Sequence, residues 1–195
     1  MNLSQYIAKQ LSSPAGLGGK VAASVMNRQN RPLYDATIRL LSPSDADSVL
    51  DIGCGNGYVL GLLAKQCNGA FAGIDTSASM IRVVSRRYKE MTFACENAGA
   101  MSFADGAFDK AYSINTVYFW DDLQKTMGEI RRVLKPGGLF INTLYSNETL
   151  DRLSHTRFGY RRCTIEEMID HAGFAAHAVP ILNGAGYCFL YQRQG

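Results

Sequence analysis

Val49-Leu50-Asp51-Ile52-Gly53-Cys54-Gly55-Asn56-Gly57 is the stretch that decides the architecture. An apolar run of strand length, SVLDI (48–52), ends in glycines at alternate positions, and YVLGLLAKQ (58–66) follows with Val59, Leu60, Leu62 and Leu63 on one helical face. Glycine lets a chain turn tightly out of a strand and lets a ligand approach the backbone closely. A lone Gly-x-Gly is an ordinary strand-to-helix turn. Here the next apolar run, AFAGID (70–75), closes on Asp75, where a carboxylate can accept hydrogen bonds from both hydroxyls of a ribose.

Working outward, the same alternation continues. Ser77 opens a helix with Met80, Ile81, Val84 and Tyr88 inward, and MTFAC (91–95) and KAYSIN (110–115) are further strands. Asp121 and Asp122 precede a helix carrying Leu123, Met127, Ile130 and Leu134, predicted to stop at Lys135-Pro136-Gly137-Gly138 before the strand LFINTLY (139–145). In TIEEMIDHAG, Thr164 and Glu167 have capping-box spacing and Gly173 supplies a stop. AAHAVPIL and GYCFLYQ flank Asn183-Gly184, a hairpin signal. Apolar strands separated by helices predict an α/β three-layer, Rossmann-like sandwich: a mostly parallel sheet covered on both faces, ending in an antiparallel pair.

Composition sets the bounds. With 195 residues, 47% of them hydrophobic and 19% charged, one domain with a sizeable core is expected and wholesale disorder is excluded. We divide the chain into an N-terminal helical or lid segment (1–31) and one domain (32–195) carrying a polar, basic insert at 146–163. A net charge of +3 does not argue for a polyanion-binding surface, so no nucleic-acid partner is expected. Five scattered cysteines form no C-x-x-C pair, which disfavours a disulfide framework or a metal site. No signal peptide or run of 18 apolar residues is seen, so a cytoplasmic protein without a membrane partner is expected. Oligomeric state is not legible.

The loop also discriminates among nucleosides. Dinucleotide sites use Gly-x-Gly-x-x-Gly and seat a pyrophosphate on the helix N-terminus. This loop is Gly-x-Gly-x-Gly, and Asp51 stands two residues before the first glycine. A carboxylate there repels a pyrophosphate and suits an ammonium, which disfavours an NAD-dependent oxidoreductase. A ligand with an ammonium, a ribose and no phosphate fits S-adenosylmethionine.

VLDIGCGNG, GIDTSASMI, ENAGAMSFADGAFDKAYSINTVYFW and LQKTMGEIRRVLKPGGLFI, in this order, resemble the class I S-adenosylmethionine-dependent methyltransferases, and most of all their small type 11 domain group, over roughly residues 45–193. The resemblance implies a seven-stranded sheet of order 3-2-1-4-5-7-6 with strand 7 antiparallel. It implies that Asp51, Gly53 and Gly55 hold the methionine end of the cofactor, that Asp75 holds the ribose, and that Thr76 and Met80 flank the adenine. Asn97, before Ala98, stands where the family usually has an Asp facing the adenine amino group, and an amide oxygen can still accept there. Ser102 replaces a usual Pro. Asn115 and Thr116 fall where the family lines the methionine moiety and the acceptor entrance.

Methyl transfer from a sulfonium is an in-line displacement on an already activated electrophile, so alignment and water exclusion matter more than a general base. Candidates for the acceptor side follow the fourth strand: Tyr118, Phe119 and Trp120, as cation–π faces or as packing, and Asp121 and Asp122, as caps of the next helix. Asn115-Thr116-Val117-Tyr118 lacks both prolines of the Asn-Pro-Pro-Tyr signature, which argues against a DNA base or a glutamine amide as substrate. Tyr118 and His155 are the catalytic candidates, and His155 lies in the insert with Arg152, Arg157, Arg161, Arg162, Phe158 and Tyr160. That insert is either a lid whose arginines pair with an anionic acceptor or a solvated loop. His171 and His177 are expected as surface or satisfied core residues, and Cys54 as structural. Tyr6, Met26, Asn27 and Asn30 belong to a lid or a frayed terminus. The sequence thus points to methyl transfer to a small molecule, releasing S-adenosylhomocysteine. The alternatives are a non-catalytic cofactor-binding or regulatory protein and a methyltransferase acting on RNA.

Overall fold

A computed structural model describes residues 26–152 and 162–195. Seven strands form one sheet: β1 (Ser48–Ile52), β2 (Ala70–Asp75), β3 (Thr92–Cys95), β4 (Phe108–Ile114), β5 (Leu134–Tyr145), β6 (Phe174–Ile181) and β7 (Gly186–Arg193). Their order is β3-β2-β1-β4-β5-β7-β6. The five-strand half from β3 to β5 is parallel, and β7 runs antiparallel to both β5 and β6. The sheet order and the closing hairpin agree with the sequence reading. The hairpin turns through Leu182, Asn183 and Gly184, all at positive φ.

Successive side chains point to opposite faces, so each central strand feeds two cores. Val49, Phe71, Tyr112, Ile141 and Cys188 pack with α1 (Arg31–Leu41), α2 (Tyr58–Leu63) and Val84 of α3 (Ala78–Arg87). Leu50, Ile52, Ile74, Ala111 and Phe140 pack on the other face with Leu123, Met127, Ile130 and Val133 of α4 (Leu123–Val133) and with Met168 of α6 (Ile165–Ile169). A short α5 (Asn147–Arg152) follows β5. Leu50, Leu60, Ile130 and Phe140 are wholly buried, and truncating any of them to Ala is expected to cost about 2–5 kcal/mol.

Caps fix where the helices begin. Ser77 accepts from Met80 N, Asp122 accepts from Lys125 N at 2.9 Å, and Thr164 and Glu167 form the reciprocal capping box. Two boundaries differ from expectation. Leu134 already pairs with Phe108, so β5 begins five residues early, and the Pro-Gly-Gly step becomes an irregularity within the strand. Helix α6 ends at Ile169, so Gly173 (φ +81°) is not its stop but the turn into β6. Among the described residues no helix is long and apolar enough to cross a membrane.

Candidate functional site

The carboxyl ends of β1, β2 and β4 open into one cavity of about 370 Å³. Three chain features build its floor. Gly53 takes φ +81°, and a Cβ there would collide with Thr116, so this position excludes every side chain. Gly55 takes φ +51° with open space where its Cβ would be: the loop turns and leaves room beside it. Asn115, just after β4, lies in the left-handed region at φ +56°, a conformation Asn tolerates better than most residues.

Asp51 stands at the bottom, 5% exposed, accepting from Tyr112 Oη at 2.8 Å. Tyr112 is its register partner on β4 and is wholly buried. Burial pushes the Asp51 carboxyl up to about 7, the Tyr112 hydroxyl opposes that rise, and the neighbouring Asp75 adds to it. The same surroundings push the Cys54 thiol far up, chiefly by burial, which makes it inert and structural.

Asp75 closes β2 across the loop. One carboxylate oxygen accepts from Gly55 N at 2.9 Å and the other from Ser77 N at 2.8 Å. Two backbone amides therefore fix the carboxylate's orientation while each oxygen keeps a lone pair for a ligand. Thr76, Met80, Asn97 and Ala98 continue the wall beyond it. Asn97 Oδ1 accepts from Gly99 N at 2.8 Å, and its amide nitrogen points to Asp121 Oδ2 at 3.5 Å.

The opposite wall is neutral among the described residues. Met26, Asn27, Asn30 and Tyr34 line it, with Tyr58, Phe119 and Trp120. Asn30 Oδ1 accepts from Tyr145 Oη at 3.1 Å and from Asn115 Nδ2 at 3.4 Å, so residues 26–30 are tied to the ends of β4 and β5. Asn115 Oδ1 is buried without a hydrogen-bond partner among the described residues.

The residues expected at the cofactor (Asp51, Gly53, Gly55, Asp75, Thr76, Met80, Asn97, Ala98, Asn115 and Thr116) all meet on this cavity, as does Trp120. Tyr118, put forward as catalytic, does not line it. The 3-10 turn Val117–Phe119 sends Tyr118 against the core of the other face, where its hydroxyl donates to Tyr145 O at 3.4 Å, and presents Phe119 to the cavity instead. Arg162 pairs with Asp151 and donates to Asn147 O. His155, Arg157 and Arg161 lie outside the described residues, as does Tyr6. His171 is buried, its ring nitrogen 3.4 Å from Gln124 Oε1, while His177 is exposed on β6. Among the described residues no His, Cys, Asp or Glu cluster could hold a metal ion.

The family described as "Methyltransferase domain" matches residues 50–142. The methyltransferase YdaC of Bacillus subtilis (strain 168), whose function is uncharacterised, is 31% identical over 131 residues, which span 66% of this chain and 72% of YdaC. The chain belongs to the class I S-adenosylmethionine-dependent methyltransferases. In this methyltransferase, the paired carboxylates and the glycine turn therefore sit on a fold that binds that cofactor. Human NDUFAF5, a mitochondrial arginine-hydroxylase, is 26% identical over 71% of the chain, which spans only 38% of that longer protein. A chain of the complex that the Haloferax volcanii Trm112 methyltransferase activator forms with a methyltransferase superposes with a TM-score of 0.81, over 100% of both chains at 19% identity.

Proposed function

We propose that the protein transfers the methyl group of S-adenosylmethionine to a small-molecule acceptor. One observation carries this reading. Asp51 and Asp75 stand at the ends of adjacent strands on either side of a glycine turn, and no basic side chain is paired with either among the described residues. Such a pair suits a ligand with an ammonium at one point and a diol at another, which the cofactor supplies. Asp51 would hold the ammonium of the methionine end, and Asp75, held by Gly55 N and Ser77 N, would accept from the ribose hydroxyls. Thr76, Met80, Asn97 and Ala98 would flank the adenine.

The bound cofactor supplies a methyl group already activated on a sulfonium. The protein's part is to position the acceptor and keep water out. Residues 26–30 roof the cavity through Asn30, and a cavity of about 370 Å³ has the size of a small-molecule site. The test has two arms: calorimetry with S-adenosylhomocysteine, and methyl-labelled cofactor incubated with fractionated metabolites. Tight binding is expected together with label in a low-mass fraction. Label in RNA would replace the small-molecule reading, and binding with no transfer anywhere would leave a cofactor-binding protein.

A further inference from the structure

Resting on the reading that S-adenosylmethionine occupies this cavity, we infer that Asp121 is a positioning residue for the purine: it holds the Asn97 amide in the one orientation that matches adenine. Two acids precede α4, and the cap falls to Asp122, which accepts from Lys125 N at 2.9 Å. Asp121 turns elsewhere. Its Oδ2 stands 3.5 Å from Nδ2 of Asn97, a residue 24 positions away. Asn97 is fixed from its other side as well: Oδ1 accepts from Gly99 N at 2.8 Å, and its backbone carbonyl accepts from Ala100 N at 3.0 Å. Asn97 lines the cavity beside Ala98, whereas Asp121 is outside the lining, so Asp121 acts through the amide.

These two contacts decide which end of the amide is which. A backbone N–H calls for the oxygen, and a carboxylate calls for the nitrogen. Turned over, the amide would set N–H against N–H at Gly99 and oxygen against carboxylate at Asp121. In the observed orientation Oδ1 keeps one lone pair and Nδ2 keeps one hydrogen. Adenine presents an amino group beside a ring nitrogen, a donor next to an acceptor, which an Asn amide meets with two hydrogen bonds. Hypoxanthine reverses both: a carbonyl replaces the amino group, and the neighbouring ring nitrogen carries a hydrogen. An amide free to turn over serves either base. An amide held by Gly99 N and Asp121 serves adenine and leaves hypoxanthine with donor facing donor and acceptor facing acceptor. A carboxylate in place of the Asn97 amide would have no hydrogen to give and would meet Asp121 as a like charge. The amide and the acid therefore work as a matched pair.

The experiment is calorimetry on the full chain with two ligands, S-adenosylhomocysteine and S-inosylhomocysteine. Wild type is expected to prefer the adenosyl ligand about 10- to 100-fold. Asp121→Ala leaves the Asp122 cap in place and should shrink that preference at least about threefold. An unchanged preference, with both ligands weakened alike or not at all, would overturn the inference while leaving the cofactor reading intact. Asn97→Asp should weaken S-adenosylhomocysteine at least about tenfold. Combining it with Asp121→Asn should recover at least about threefold, because acid and amide then trade places. A double variant that binds no better than Asn97→Asp would likewise overturn the pairing. If wild type binds neither ligand, the cofactor reading falls and this inference falls with it.

Discussion

The two ends of the sheet handle carboxylates in opposite ways. At the amino ends of the strands, Asp47 and Asp109 each have a cation. Asp47 meets Lys110 at 3.0 Å, and Asp109 meets Lys135 at 2.8 Å while also accepting from Ser48 N. Against a burial effect that would raise them, hydrogen bonds hold both acids below the usual carboxylate range, from Ser44 N and Lys110 for Asp47 and from Lys135 and Ser48 N for Asp109. Arg132 likewise clamps Glu129, Asp105 and the carbonyls of Met101 and Phe103. At the carboxyl ends Asp51 is buried with no such cation, and the turn around it takes positive φ at Gly53, Gly55 and Asn115. One end is built for stability. The other carries uncompensated charge and unusual backbone, which a positively charged ligand would relieve.

The largest break in that contrast is Asp51→Asn. Losing the carboxylate that faces an ammonium should weaken S-adenosylhomocysteine binding by at least about 100-fold, or roughly 3 kcal/mol, by calorimetry. The same change should stabilise the free protein. A folded-state value of about 7, above the ordinary 3.8, means the native state binds this proton more tightly than the unfolded chain. This group's contribution is therefore most favourable below about pH 4 and is lost as pH rises toward 7, to a total of about 4 kcal/mol. Urea unfolding at pH 8 should show Asp51→Asn more stable by about 1–4 kcal/mol, and a loss of stability would contradict the account of Asp51 as uncompensated.

Asp75→Ala comes next, with an expected loss of about 1.5–3 kcal/mol of cofactor affinity. It removes the ribose acceptor and also frees Gly55 N and Ser77 N, so unchanged calorimetric binding would move the ribose away from this acid. A pH series probes the contrast more gently. Below about pH 7 Asp51 holds its proton and offers no charge to an ammonium. Cofactor affinity is expected to fall about tenfold per unit between pH 7 and 5, and a flat profile over that range would detach the ammonium from Asp51.

What the sequence disclosed follows the same division. Strand and helix order, the glycine turn and Asp51 and Asp75 were legible because each is signalled within a few residues by apolar runs ended by glycine or an acid. The Asp51–Tyr112 bond was not, because it depends on the register between β1 and β4, 61 positions apart. Tyr34, Tyr58 and Tyr145 gave no local signal either, since an aromatic in an amphipathic segment looks the same whether it faces core or cavity. Tyr118 was misplaced for a geometric reason: one residue of rotation in a 3-10 turn exchanges it with Phe119. Asn30 was legible only as part of a segment near a mouth, and its bonds to Asn115 and Tyr145 span 85 and 115 positions.

The smallest effect is expected at the paired end, from Asp109→Asn. Lys135 is 44% and Asp109 28% exposed at their side chains, so solvent screens the pair and its loss should cost only about 0.5–1 kcal/mol at pH 7. The Ser48 N bond can survive on the amide oxygen. Because the native carboxylate is held below the ordinary range, its contribution is present above that range and lost as pH falls through the lowered native value, so the gap between wild type and variant should shrink as acid is added below the ordinary carboxylate range. Cofactor affinity should stay within about twofold, because this pair sits at the opposite end of β4 from the cavity. A fall in cofactor affinity as large as that of Asp75→Ala would show that the two ends are coupled through the sheet, and the division of labour between them would fail.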